Sequence, residues 1–211
     1  MIVLWGRASS INVQKVVWAL EEIGLAHQIV PAGGAHGGLN TATFLALNPH
    51  GRIPVLVDDG TVIWESSAIV RYLCSRYSVG VLWPKSPAER AMCDQWMDWC
   101  ACTLQPAFMN FFWSWWRTPE AERDEELCAV ALARSNEAFA RLDAALIHPP
   151  LDHPSMADFP FGVMLHRYFT MPIERAPLRR LEAWHDHLRK SPAYRRAVMI
   201  PFEDLRGRLA F

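Results

Sequence analysis

The chain has 211 residues, which suits one large domain or two small ones on a prior of ~150 residues per domain. Its 21 basic and 22 acidic residues leave a net charge of −1, removing any electrostatic basis for binding nucleic acid or anionic lipid. Hydrophobic residues reach 51%, enough for a substantial core, yet no apolar run approaches the ~18–20 residues that span a bilayer.

The opening MIVLWGRASS has neither a basic leader nor a long apolar stretch, so a soluble cytoplasmic protein is expected. IVLW reads as a first strand. RASSIN follows, then VQKVVWALEEIGL, where Val13, Val16, Val17 and Leu20 repeat at helical spacing and Gly24 ends the helix. HQIV reads as a second strand, followed by the glycine-rich loop AGGAHGG. TATFLALNP predicts one or two helical turns closed by Asn48-Pro49. IPVLVDDGTVIW predicts a hairpin about Asp59-Gly60, and ESSAIVRYLCSRY a helix. This βαβα–ββα order implies a mixed sheet with helices on its faces.

Gly80, Pro84 and Pro87 punctuate VGVLWPKSP, and no convincing strand follows. Three parts are therefore predicted: an α/β unit over residues 1–78, a linker over 79–86 and an all-helical unit over 87–211. Residues 88–117 read as a tryptophan-rich helical stretch with a potential interruption at Pro106. Thr118-Pro119-Glu120 reads as the cap and first turn of the next helix, which carries Cys128, Leu132, Ser135, Phe139, Leu142 and Leu146 on one face. HPPLDHP is expected to break that helix. The Ser155–Asp158 capping box should open another, and Ser191-Pro192 a short terminal one.

The cysteines (Cys74, Cys93, Cys100, Cys102, Cys128) contain no CxxC pair, and the histidines show no HExxH or paired spacing. Cys100 and Cys102 should face opposite sides of a helix, as should His185 and His187. Reduced thiols and no metal centre are expected.

Three segments of the first unit can carry chemistry. GRASSINVQKV places Ser9, Ser10 and Asn12 at a strand-to-helix turn, where unpaired N–H groups and a hydroxyl favour an anion. NPHGRIPVL places Pro54 at a strand start; a cis Ile53–Pro54 bond would turn the Ile53 backbone toward an extended, peptide-like ligand. WESSAIV places Glu65 and Ser66 at another helix start, a pairing able to hold an amino-acid end group. Taken singly, each segment is equally a helix cap or a strand-opening proline.

Together and in this order, LWGR-ASSINVQKVVWALEEIGL, FLALNPHGRIPVL, WESSAIVRYL and SMADFPFG resemble the cytosolic glutathione S-transferases, and in particular the bacterial serine-type group similar to the theta class. The resemblance spans essentially the whole chain. It implies a thioredoxin-like N-terminal domain with a four-stranded mixed sheet, an α-helical C-terminal domain and a homodimer. It implies an enzyme that conjugates glutathione, its co-substrate, to a small apolar electrophile or reduces hydroperoxides, with no metal. By position, Ser10 corresponds to the thiol-activating serine, with Ser9 its neighbour and Asn12 a support. Arg52 and Ile53 correspond to the stretch before the cis-proline, and Glu65 and Ser66 to the γ-glutamyl site. His36 falls in the loop that nears the glycyl end. Trp113, Trp116 and Arg117 fall where the family builds its electrophile pocket; Trp96 and Trp99 are expected in packing.

Two other readings compete. A thiol–disulfide reductase needs a cysteine where Ser9 and Ser10 stand. A non-catalytic ligand carrier on the same fold would not require Ser10, Arg52, Glu65 and Ser66 together.

Overall fold

The structure is a computed structural model that describes residues 1–146 and 154–209. Five-residue β1 (Ile2–Gly6) leads into α1 (Ile11–Ile23), which ends where Gly24 takes a left-handed φ of 78°. β2 (His27–Pro31), α2 (Ala42–Leu47), the hairpin β3 (Val55–Asp58) and β4 (Thr61–Trp64), and α3 (Ser66–Tyr77) complete the first part. The strands lie in the order β2-β1-β3-β4. β1 runs parallel to β2 and antiparallel to β3, and β3 pairs antiparallel with β4 in the register Val55↔Trp64 to Asp58↔Thr61. The hairpin turns at Asp59-Gly60, both at positive φ. This is the thioredoxin-like mixed sheet, with every expected strand present.

From Pro87 onward the helical part begins: α4 (Pro87–Trp99), α5 (Gln105–Phe111), α6 (Glu125–Ala145), α7 (Asp158–Thr170), α8 (Arg179–Leu188) and α9 (Pro192–Ala197). Pro106 does not interrupt the chain's course. A π-helical turn over Cys100–Leu104 joins α4 directly to α5, and a second over Phe112–Arg117 extends α5. The wide turn ahead of the proline accommodates its missing N–H and ring without a break. Cys100 is buried and Cys102 exposed, on opposite sides of that turn.

The expected start of α6 is corrected. Glu120–Glu122 forms only a 3-10 turn, and α6 begins at Glu125, capped by Asp124, whose Oδ1 accepts from the Leu127 N–H at 2.9 Å. Thr118 is used elsewhere: its hydroxyl and its N–H both donate to the Trp113 carbonyl, closing the preceding helical segment. The HPPLDHP stretch lies almost wholly outside the described residues. The Ser155–Asp158 box forms, the Asp158 carboxylate accepting from the Ser155 N–H at 2.5 Å and Ser155 Oγ from the Ala157 N–H at 3.3 Å. Ser191 caps α9.

The two parts share one apolar core. Trp18 of α1 is fully buried, edge-on to Phe159 of α7 at 4.8 Å and to Tyr194 of α9 at 4.9 Å. Gly162 fits against the same indole, where any Cβ would collide with the ring. On the other side, Arg71 of α3 bonds Asp94 and Asp98 of α4 at 2.6 and 2.7 Å. The helical part is thereby fixed against α1 and α3.

Candidate active site

Two helix N-termini converge. Ser10 caps α1 with extended backbone, its Oγ accepting weakly from the Val13 N–H at 3.5 Å, and it remains half-buried. Because this contact uses only a lone pair of the oxygen, the hydroxyl proton remains available to an anion. Two residues on, Asn12 meets Ser66, the first residue of α3: Ser66 Oγ donates to Asn12 Oδ1 at 3.4 Å.

Asn12 Oδ1 receives two further donors, Lys15 Nζ at 3.0 Å and Gln105 Nε2 at 3.3 Å. With three donors on the oxygen, the amide orientation is settled, and its Nδ2–H₂ is directed away from them. Lys15 also donates to Gln105 Oε1 at 2.6 Å, tying α1 to α5. Lys15 was not foreseen. It occupies the apolar face of α1, one turn from Ile11 and from Ala19, and a lysine at an otherwise apolar helical position was the signal available.

Burial pulls the Lys15 pKa down to about 8, against the opposing pull of Cys100 and Glu65; burial likewise pushes the Cys100 thiol up to about 12. The native pKa therefore lies below the unfolded value near 10.5, so the folded chain binds fewer protons between those limits and gains stability as pH rises through them. In urea unfolding, the wild type should gain on the order of 2 kcal/mol more than Lys15→Met between about pH 7.5 and 10. Equal pH dependence of the two proteins would contradict a buried charged lysine.

Glu65 precedes α3 with φ 69° and ψ 115°, a left-handed conformation rare outside glycine, and its side chain is exposed. Such a conformation costs on the order of 1–3 kcal/mol and is characteristic of ligand-holding sites. The Ile53–Pro54 bond is cis, and ladder pairing of β3 starts only at Val55. Arg52 is exposed, its carbonyl held by Asn48 Nδ2 at 2.8 Å. His36 lies exposed in a 3-10 turn, Gly34–His36.

Ser9 is gripped from both sides: Arg7 Nη1 donates to its Oγ at 2.5 Å, and Arg167 Nη2 to its carbonyl at 2.6 Å. It serves to fix the turn that presents Ser10. Of the predicted pocket residues, Trp113 is exposed, whereas Trp116 and Arg117 are buried; the Arg117 guanidinium lies 4.1 Å from the Trp113 ring centre and donates to the Arg208 carbonyl. Trp96 and Trp99 pack edge-to-face against each other and beside Phe161, as expected for core residues. A cavity of about 1010 Å³ lined from α1, α4, α6, α7 and α8 includes none of the residues assigned to the thiol or peptide sites.

A thioredoxin-like domain bearing a cis-proline, joined to a helical domain beside two converging helix N-termini, is the architecture of a glutathione transferase. Residues 9–76 match the family profile described as Glutathione S-transferase, N-terminal domain. The chain is 38% identical to Glutathione S-transferase GstB of Escherichia coli K12 over 206 residues, covering 95% of this chain and 99% of that protein. It is 28% identical to Glutathione S-transferase F9 of Arabidopsis thaliana over 88% of this chain and 91% of that one. The theta class glutathione S-transferase of Xanthomonas axonopodis pv. citri, solved with glutathione bound, superimposes with a TM-score of 0.89 at 48% identity, covering 95% of this chain and 98% of that one. The chain belongs to the glutathione S-transferase family.

Proposed function

We propose that this glutathione S-transferase binds the γ-glutamyl end of glutathione at Glu65 and Ser66, pairs its cysteinyl backbone with Ile53 beside Arg52, and stabilises the thiolate with the Ser10 hydroxyl assisted by Asn12. Residues 1–78 then form the glutathione-binding unit, 79–86 the linker, and 87–211 the unit that supplies the acceptor pocket at Trp113, Trp116 and Arg117. The observation that carries this reading is the Ser66–Asn12 hydrogen bond, which brings the starts of α1 and α3 together.

The energetics need no general base. A free thiol near pKa ~8.5 is only a few per cent ionised at neutral pH, and lowering it by about two units requires roughly 2.7 kcal/mol. A hydroxyl hydrogen bond to a charged sulfur supplies ~1.5–3 kcal/mol, and the N-terminus of α1 a further ~0.3–1. The thiolate attacks an electrophilic carbon directly, without a covalent enzyme intermediate. Two N-terminal dipoles and no cysteine at the α1 start favour conjugation over disulfide exchange. Among the described residues no helix is long and apolar enough to cross a membrane, and no group of three metal-ligating side chains forms. We place the enzyme in the cytoplasm as a homodimer, in keeping with its family.

Titration calorimetry with glutathione tests the assignment. The wild type should bind, and Ser66→Ala should bind about tenfold more weakly, as expected for loss of one charged hydrogen bond. A wild type that takes up no glutathione ends the proposal.

A further inference from the structure

Lys15 is 2% exposed, although it lies between Ile11 and Ala19 on one side of α1. An apolar side chain there would join α1 to the helical part without the cost of desolvating an ammonium. What the ammonium adds is direction. Lysine has donors only, so both amides that it touches turn their oxygens toward it: Asn12 Oδ1 at 3.0 Å and Gln105 Oε1 at 2.6 Å. Gln105 Nε2 is then left to donate to Asn12 Oδ1 at 3.3 Å, and Ser66 Oγ does so at 3.4 Å.

The consequence falls on the other end of the Asn12 amide. Asn12 is half-buried, yet its Nδ2 has no hydrogen-bond partner among the described residues. Two N–H donors therefore stand unused at the start of α1, two residues from Ser10. An amide turned over would present its carbonyl oxygen there, which repels a thiolate. The Asn12–Gln105 bond does not prevent this, because both amides can reverse together and keep it with donor and acceptor exchanged. Ser66 does not prevent it either, since a hydroxyl donates or accepts. Of the four contacts in the cluster, only the two made by Lys15 impose a direction.

Building on the assignment of the thiolate to Ser10 and Asn12, we propose that Lys15 is a positioning residue for the sulfur site. It fixes the Asn12–Gln105 amide pair so that Asn12 offers N–H donors, and not its carbonyl oxygen, to the glutathione thiolate. Lys15 acts through Asn12, and Gln105 carries the same constraint into α5.

The test is the thiolate absorbance of bound glutathione, titrated between about pH 5 and 7.5. Lys15, with a pKa of about 8, is mostly charged in that range. Lys15→Met should raise the thiol pKa by about half a unit, roughly a threefold loss in the ionisation constant, because both amide orientations are then populated. Lys15→Gln, which can face either way, should match it, and it takes the place of Lys15→Met if the apolar variant does not fold. Gln105→Met disturbs the same cluster but leaves Lys15 on Asn12, so its curve should follow the wild type. In an Asn12→Ala background, loss of Lys15 should add nothing. A shift that survives in that background comes from the lysine charge acting directly on the sulfur and overturns the inference. An unmoved curve in the Lys15 variants, or an equal shift in Gln105→Met, overturns it as well. Failure of the underlying reading is seen separately: wild type then takes up no glutathione in calorimetry, or Ser10→Ala and Asn12→Ala both leave the titration unchanged.

Discussion

Replacing Ser10 with alanine should raise the pKa of enzyme-bound glutathione by about one to two units and lower kcat/KM at neutral pH between about 10- and 100-fold. The magnitude is that of the one strong donor bond to a sulfur anion that the proposed role gives this hydroxyl. The cap function of Ser10 is the smaller part of the effect: its contact to Val13 N is 3.5 Å, at the edge of hydrogen bonding. Loss of the cap therefore costs stability on the order of 1 kcal/mol or less, and thermal unfolding separates that from the thiol effect. Thiolate absorbance titrated against pH, with glutathione bound, reads the pKa directly. Two variants together apportion the work. Asn12→Ala removes the amide whose oxygen is already held by Ser66, Lys15 and Gln105, and it should shift the thiol less than Ser10→Ala. If the titration curve of Ser10→Ala coincides with the wild type while that of Asn12→Ala moves, the activating donor is Asn12.

The largest stability effect is expected at Trp18. Truncation to alanine should cost about 3–5 kcal/mol, because the indole is fully buried and its cavity is walled by Phe159, Tyr194 and Gly162. Those walls belong to α7 and α9, so the loss falls on the seam between the two parts of the chain. Urea unfolding followed by fluorescence and by helical circular dichroism should show both signals moving together to lower urea. A shift under about 1 kcal/mol, or one that moves only one signal, would mean that α1 does not join the parts into a single cooperative unit. Tyr194 reinforces the seam: its hydroxyl donates to the Gly162 carbonyl at 2.7 Å, tying the short α9 to α7, while its ring lies edge-on to Trp18 of α1.

Much of the architecture was legible beforehand because it is local. The spacing of Val13, Val16 and Leu20, the Asp59-Gly60 turn, the Ser191-Pro192 cap and the Ser155–Asp158 box each act within a few residues, and each formed where the pattern put it. The errors were also local, and they arose where two elements competed for one residue. Thr118 could cap the next helix or close the preceding one, and the free carbonyl of Trp113 won it. Pro106 reads as a breaker until the π-helical turn ahead of it, Cys100–Leu104, is seen.

Residue identity alone thus determined the α/β-then-α order, the helix starts that bear Ser10, Asn12 and Ser66, and the family. Those depend on backbone propensity, capping and short motifs, which operate within a turn or two of chain. Only the tertiary structure decided that Lys15 lies buried against Gln105, 90 positions away, and that Arg167 reaches Ser9 from 158 positions along the chain. No periodicity encodes such partners. They are chosen by which faces the shared core forces together, and a charge placed there is set by its surroundings rather than by its neighbours in sequence.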